Sequence, residues 1–154
     1  MLGFGGHTGA GGFSLEEKNI SSFSIAFNSE ASRQLATEEL NPTVEADIIA
    51  RLEEIDSKLI TELETFIPYG MANPAPVLLL KDLRVLEVTV LKSAHLRVLV
   101  SDGKRTVSAI LWKHTSHRAL KKGAQVNLAC RPIMNSFNGL LEVQLQIQAA
   151  ELSA

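Results

Sequence analysis

Leu96-Arg97-Val98-Leu99-Val100-Ser101-Asp102-Gly103-Lys104-Arg105-Thr106-Val107-Ser108-Ala109-Ile110-Leu111 holds two alternating runs around a turn signal. Leu96, Val98 and Val100 alternate with Arg97 and Ser101. Val107, Ala109 and Leu111 alternate with Thr106 and Ser108. A period of two sends alternate side chains to opposite faces of a strand. Asp102-Gly103 predicts a tight two-residue hairpin between the runs. The pattern extends outward in both directions. Val126, Leu128 and Cys130 alternate with Asn127 and Arg131, and Leu141, Val143, Leu145 and Ile147 with Glu142, Gln144, Gln146 and Gln148. Asn138-Gly139 is a second hairpin signal. A first long strand is expected over most of Val77 to Leu91, with a bulge near Leu86-Glu87. Thr115 to Lys122 is a short helix candidate stopped by Gly123.

The order is three strands, a helix, then two strands. That is the order of the five-stranded antiparallel oligonucleotide-binding barrel, the OB-fold; another small antiparallel barrel is the second choice. Ahead of it, Pro68-Tyr69-Gly70-Met71-Ala72-Asn73-Pro74-Ala75-Pro76 can be neither helix nor inner strand. Asp56 is a plausible N-cap for a helix with Leu59, Ile60, Leu63 and Phe66 on one side. Thr43 to Ile49 is expected to be extended, after a break at Asn41-Pro42. Ser14 and Glu17 fit a capping box for a helix ending near Leu40. Gly3, Gly5, Gly6, Gly9, Gly11 and Gly12 precede it. The expected fold is therefore α+β: a glycine loop with helices, then the barrel. The expected divisions are residues 1–40, a helical and proline-rich linker at 41–76, and the barrel at 77–154.

Charge divides at the same place. Met1 to Pro76 holds four Lys/Arg against twelve Asp/Glu, and Val77 to Ala154 holds eleven against five, within a net charge of -2. The basic half could face a polyanion, or be an ordinary solvated surface. The single cysteine, Cys130, excludes an internal disulfide and a cysteine metal site, and is expected to be buried. No run of about 18 apolar residues exists, and Met1-Leu2-Gly3-Phe4 lacks a signal-peptide flank, so no membrane partner is expected. A soluble, cytoplasmic protein is expected.

Gly5-Gly6-His7-Thr8-Gly9-Ala10-Gly11-Gly12-Phe13 resembles the glycine motif of DHHA1 domains in DHH-family phosphoesterases, with Gly11 in place of an alanine. Ile67 to Val77 resembles the proline segment joining DHHA1 to the OB domain in RecJ-type exonucleases, with Tyr69 replacing a phenylalanine. Lys92-Ser93-Ala94-His95-Leu96 and Asn135-Ser136-Phe137-Asn138-Gly139 are similar to two turns of that OB domain. The resemblance covers essentially the whole chain. It implies a DHHA1 tail over residues 1–40 and a nucleic-acid-binding OB domain over 77–154. It also implies the substrate-binding, C-terminal portion of a 5′→3′ single-stranded-DNA exonuclease of DNA repair and recombination. Single-stranded DNA is the implied partner, with single-strand-binding protein a candidate second one. Manganese or magnesium is implied for a DHH domain, but this chain has no Asp-His-His, and Asp47, Asp56, Asp82 and Asp102 are scattered. No cofactor and no catalytic residue are expected in it, and its coding region is expected to be truncated or its partner segment encoded elsewhere.

The resemblance places Gly5, Gly6 and His7 against substrate phosphate; on residues alone the glycines could equally make a tight turn. In the barrel, Lys92, His95, Arg97, Lys104, Arg105, Lys113, Arg118 and Arg131 are candidates to track a phosphate backbone. Phe137, at a hairpin tip, is the stacking candidate, and Trp112 is either a platform or core. Two alternatives stand beside the nuclease reading: a stand-alone OB module for single-stranded nucleic acid, and a protein-interaction domain.

Overall fold

The computed structural model describes residues 2–35, 43–137 and 139–153, in two units, Met1–Pro42 and Thr43–Ala154. In the first, β1 (Gly3–His7) and β2 (Ala10–Ser14) form an antiparallel hairpin with Gly5 opposite Gly12 and Gly6 opposite Gly11. A Cβ on Gly6 would lie 2.5 Å from the Ala10 carbonyl oxygen, so only glycine fits there. The capping box expected at Ser14 does not form. Ser14 ends β2, and its carbonyl accepts from the Leu2 amide at 2.8 Å. Strand pairing claims the backbone that a cap would need. The helix, α1 (Ile20–Leu35), starts only after a 3₁₀ turn at Glu17–Asn19. Its expected end near Leu40 lies outside the described residues. No residue of α1 is buried.

The second unit begins with β3 (Ile48–Ala50), a 3₁₀ turn at Leu52–Glu54 and α2 (Ser57–Glu64). Asp56 caps α2 as expected, its Oδ1 accepting from the Leu59 amide at 2.8 Å. The proline segment is pinned: Asn73 Nδ2 donates to the Phe66 and Pro68 carbonyls, and the Tyr69 hydroxyl donates to the Leu63 carbonyl. Residues 43–76 fold with the strands that follow them. Leu52 and Ile55, at 2% and 0% exposure, belong to the same core cluster as the strand residues.

The barrel consists of β4 (Leu78–Leu91), β5 (His95–Ser101), β6 (Thr106–Leu111), β7 (Gln125–Phe137) and β8 (Leu140–Leu152). The order β4-β5-β6-β8-β7 closes through β4 against β7. Leu80, Val98, Val100, Val126, Leu128 and Leu145, none more than 1% exposed, fill the interior. The bulge expected near Leu86-Glu87 is present between Val85 and Glu87. The barrel is mixed rather than wholly antiparallel: β6 and β8 run parallel, with Ser108 opposite Gln144 and Ile110 opposite Gln146. Parity requires this. Five strands in a closed ring cannot all alternate in direction, so at least one neighbouring pair must be parallel. A second parallel pair joins β3 to β4.

Two local expectations give way to side-chain chemistry. Ser101 pairs with Thr106, so Asp102–Arg105 is a four-residue loop and not a two-residue turn. The Asp102 carboxylate accepts from the Lys104 and Arg105 amides, and the Ser101 hydroxyl donates to the Arg105 carbonyl. Those bonds organise a wider turn than Asp-Gly alone suggests. Between β6 and β7 the expected helix at Thr115–Lys122 is absent and the chain makes turns and bends. Thr115, Ser116 and His117 are weak helix formers, and His117 Nδ1 takes the Ala119 amide. Burial of Ala119 and Leu120 in the core cluster decides the path instead.

Cys130 is fully buried, and burial pushes its thiol up to about 12. A raised pKa means the neutral thiol persists through neutral and mildly alkaline pH. At pH 8 the native protein is therefore expected to leave a disulfide reagent unreacted, with one equivalent consumed on adding guanidinium. Prompt reaction without denaturant would contradict the packing of β7.

Candidate nucleic-acid interface

The register defines what the barrel turns outward. Val98, Ala109 and Leu145 lie side by side in the core, so their neighbours in sequence form the outer rows. One such row runs Thr89, Arg97, Ile110, Gln146, Arg131 across β4, β5, β6, β8 and β7. The next runs Glu87, Leu99, Ser108, Gln144, Ile133. Ile110 is 5% exposed yet outside the core cluster, as an outward residue under neighbouring side chains would be. Arg97 and Arg131 thus stand three strand spacings apart, about 14 Å along the sheet, with an amide and an apolar side chain between them. Arg131 Nε is buried and has no partner among the described residues. It borders a cavity of about 260 Å³ lined by Ile60, Leu63, Tyr69, Pro76, Pro132 and Gln146, among others.

One end of this face gathers several of the expected residues. Lys92 and Ser93 turn the chain from β4 to β5 at φ of 48° and 50°. His95 follows, its Nδ1 accepting from the Lys113 amide at 3.0 Å. An accepting Nδ1 assigns the ring hydrogen to Nε2 in neutral His95. Its ring meets Trp112 with centroids 4.6 Å apart and planes at 74°. Trp112 is 45% exposed, so it is a surface residue and not core. Lys113 is itself left-handed, at φ 60°.

The other end separates two neighbours. Lys104 is exposed. Arg105 turns in, its Nη1 donating to the carbonyls of Leu52 at 3.2 Å and Ile55 at 2.7 Å. Arg118 is exposed in the loop after β6. Beside it His117 is held below the ordinary histidine range, by burial first and then by the charges of His114 and Arg118. The Phe137 backbone ends β7, but its side chain lies outside the described part of the structure, as does Asn138. Sequence reasoning left out the outward Gln144 and Gln146, whose alternation was visible, and the structural partner of Arg105, which no local signal announces.

Residues 46–149 match the family model described as RecJ OB domain. The chain belongs to the RecJ OB domain family. Curated relatives are single-stranded-DNA-specific exonucleases named RecJ. That of Bacillus subtilis (strain 168) is 24% identical over 97% of this chain and 20% of its own length. That of Dickeya dadantii (strain 3937) is 30% identical over 96% of this chain and 26% of its own length. The chain therefore spans about a fifth to a quarter of the relatives it matches. The crystal structure of RecJ in complex with Mn²⁺ from Thermus thermophilus superposes with a TM-score of 0.68 at 25% identity, over 99% of this chain and 22% of that one.

Beyond the matched RecJ OB segment, the Gly5-Gly6-His7 stretch lies in the β1–β2 hairpin, where His7 Nδ1 accepts from the Gly9 amide at 3.1 Å. A RecJ is also known in complex with Mg²⁺. The residues here do not fit such an ion: among those described, no group of three or more His, Cys, Asp or Glu is placed to hold a metal. No helix among them is long and apolar enough to cross a membrane.

Proposed function

We propose that this chain is the substrate-binding portion of a RecJ-type single-stranded-DNA exonuclease, and that its barrel grips the DNA backbone. The outward, exposed Arg97 on a RecJ OB barrel carries this reading, extended by exposed Lys92, Lys104 and Lys113. Strand faces and connecting loops of OB barrels are where oligonucleotides bind. In the same reading Met1–Pro42 is the tail of a DHHA1 domain, and Gly5, Gly6 and His7 lie toward substrate phosphate. Its exposed apolar groups support the first point: Phe4, Ile25 and Phe27 are 85%, 73% and 60% exposed, as expected of a piece whose core partners lie elsewhere.

On single strands each phosphate contact contributes about -0.7 to the slope of log affinity against log salt. Three or four contacts from Lys92, Arg97, Lys104 and Lys113 would lower affinity roughly 30- to 90-fold for a fivefold rise in salt. Replacing Lys92 and Lys113 together by alanine should flatten the slope by about 1.4 and weaken all sequences alike. A salt titration against oligo-dT measures this. Salt-independent affinity, or no binding at low salt, would leave the barrel as a protein-interaction module.

A further inference from the structure

We propose that Trp112, braced by His95, is a stacking platform for one unpaired nucleobase, and the residue by which the barrel prefers single strands to duplex. This rests on the nucleic-acid reading above and adds to it a place for a base. A tryptophan is usually largely buried, yet this one is 45% exposed on the basic half of the chain. It is also held. The His95 ring is oriented by the Lys113 amide at 3.0 Å and meets the indole edge-on at 4.6 Å. A platform fixed before binding loses little freedom when a base settles on it.

Cations surround the same spot in sequence and in register. Lys113 follows Trp112 directly, and Leu91, beside Lys92, pairs with His95. Lys92, Ser93 and Lys113 all occupy left-handed backbone, at φ 48°, 50° and 60°. Non-glycine residues adopt that region at some strain, and such strain gathers where geometry is functional. A lysine on each of the two loops that meet here is suited to a phosphate next to the stacked base. Bases in a duplex already stack on their neighbours and offer no free face, whereas unpaired bases do. An aromatic platform therefore discriminates by strandedness, which the lysines alone do poorly.

Trp112 is the only tryptophan in the chain, so its fluorescence reports this site and no other. The full chain is titrated at low salt with oligo-dT, with an abasic oligodeoxynucleotide of equal length, and with a duplex. Affinity is read separately by anisotropy of labelled DNA. Oligo-dT should quench the tryptophan, while the abasic strand and the duplex should bind without quenching. Trp112→Ala should weaken oligo-dT about 5- to 100-fold, leave the other two polymers unchanged, and keep the parent's salt slope, because stacking releases no counterions. Trp112→Phe should retain oligo-dT affinity within about threefold, which separates a lost platform from a misfolded barrel. Unchanged fluorescence together with parent-like oligo-dT affinity of Trp112→Ala overturns the platform and leaves the phosphate grip standing. Equal affinity of the parent for all three polymers does the same. If the parent binds none of them, the nucleic-acid reading fails and the platform with it.

Discussion

Ile55→Ala is expected to lower the unfolding free energy by about 2–5 kcal/mol, the range for emptying a buried isoleucine site. Ile55 precedes every barrel strand, yet it is 0% exposed and packs in the cluster that holds Leu80, Val100 and Leu128. Removing three carbons there loses apolar burial and leaves a cavity in the barrel's own interior. Ile49, six residues earlier, is 61% exposed and supplies the contrast. Ile49→Ala should stay within about 0.5 kcal/mol of the parent. Urea unfolding followed by circular dichroism measures both. Equal, small effects would mean that residues 43–56 merely lie near the barrel and do not complete it.

Arg105→Ala is expected to be nearly as damaging, at about 2–4 kcal/mol, although the residue belongs to the basic set first associated with DNA. Its guanidinium donates to the Leu52 and Ile55 carbonyls, and hydrogen bonds from charged donors contribute about 1.5–3 kcal/mol each. Both residues that carry those carbonyls are buried, which makes water a poor substitute. Arg105→Lys should recover only part of the loss, because an ammonium is more strongly hydrated than a guanidinium and is less easily taken from water. Lys104→Ala, one position away and exposed, should leave stability within about 0.5 kcal/mol. The DNA readout should invert this order: Lys104→Ala flattens the salt slope by about 0.7 and Arg105→Ala, in its folded fraction, leaves it unchanged. A stable Arg105→Ala protein with a flattened slope would return the residue to the DNA-contacting set.

The five strands were legible because alternation is a local signal, and so were the bulge and the Asp56 cap. Other features depended on partners far away in sequence. The helix expected at Thr115–Lys122 lost to the burial of Ala119 and Leu120. Ser14 looked like a cap until pairing with β1 made it a strand end and the Leu2 amide took its carbonyl. Leu52 and Ile55 looked like parts of a linker because nothing nearby shows what they cover. Among candidate site residues, charge and position suggested a role but not a direction. Lys104 and Arg105 are adjacent and equally basic, yet one is exposed and the other is spent on two carbonyls. Trp112 was undecided between surface and core because it stands just past β6, where alternation stops predicting. That a closed ring of five strands holds a parallel pair follows from the odd count alone; that the pair is β6 with β8 does not, because it depends on which strands meet.

That ring also sets a time at which the chain is vulnerable. It closes between segments distant in sequence: the Asp82 amide bonds to Asn127 Oδ1 across 45 positions, and β6 finds its second neighbour only in β8. Folds dominated by such non-local pairings form in milliseconds to seconds. During synthesis at about 5–20 residues per second, the thirteen residues of β8 take about one to three seconds to emerge after β7 is complete. Throughout that interval β6 and β7 each present an unpaired edge, the form of backbone most prone to capture another chain. Any delay between the emergence of β7 and that of β8 would prolong that exposure, so the pace at which β8 follows bears on how much of the chain reaches its closed barrel at all.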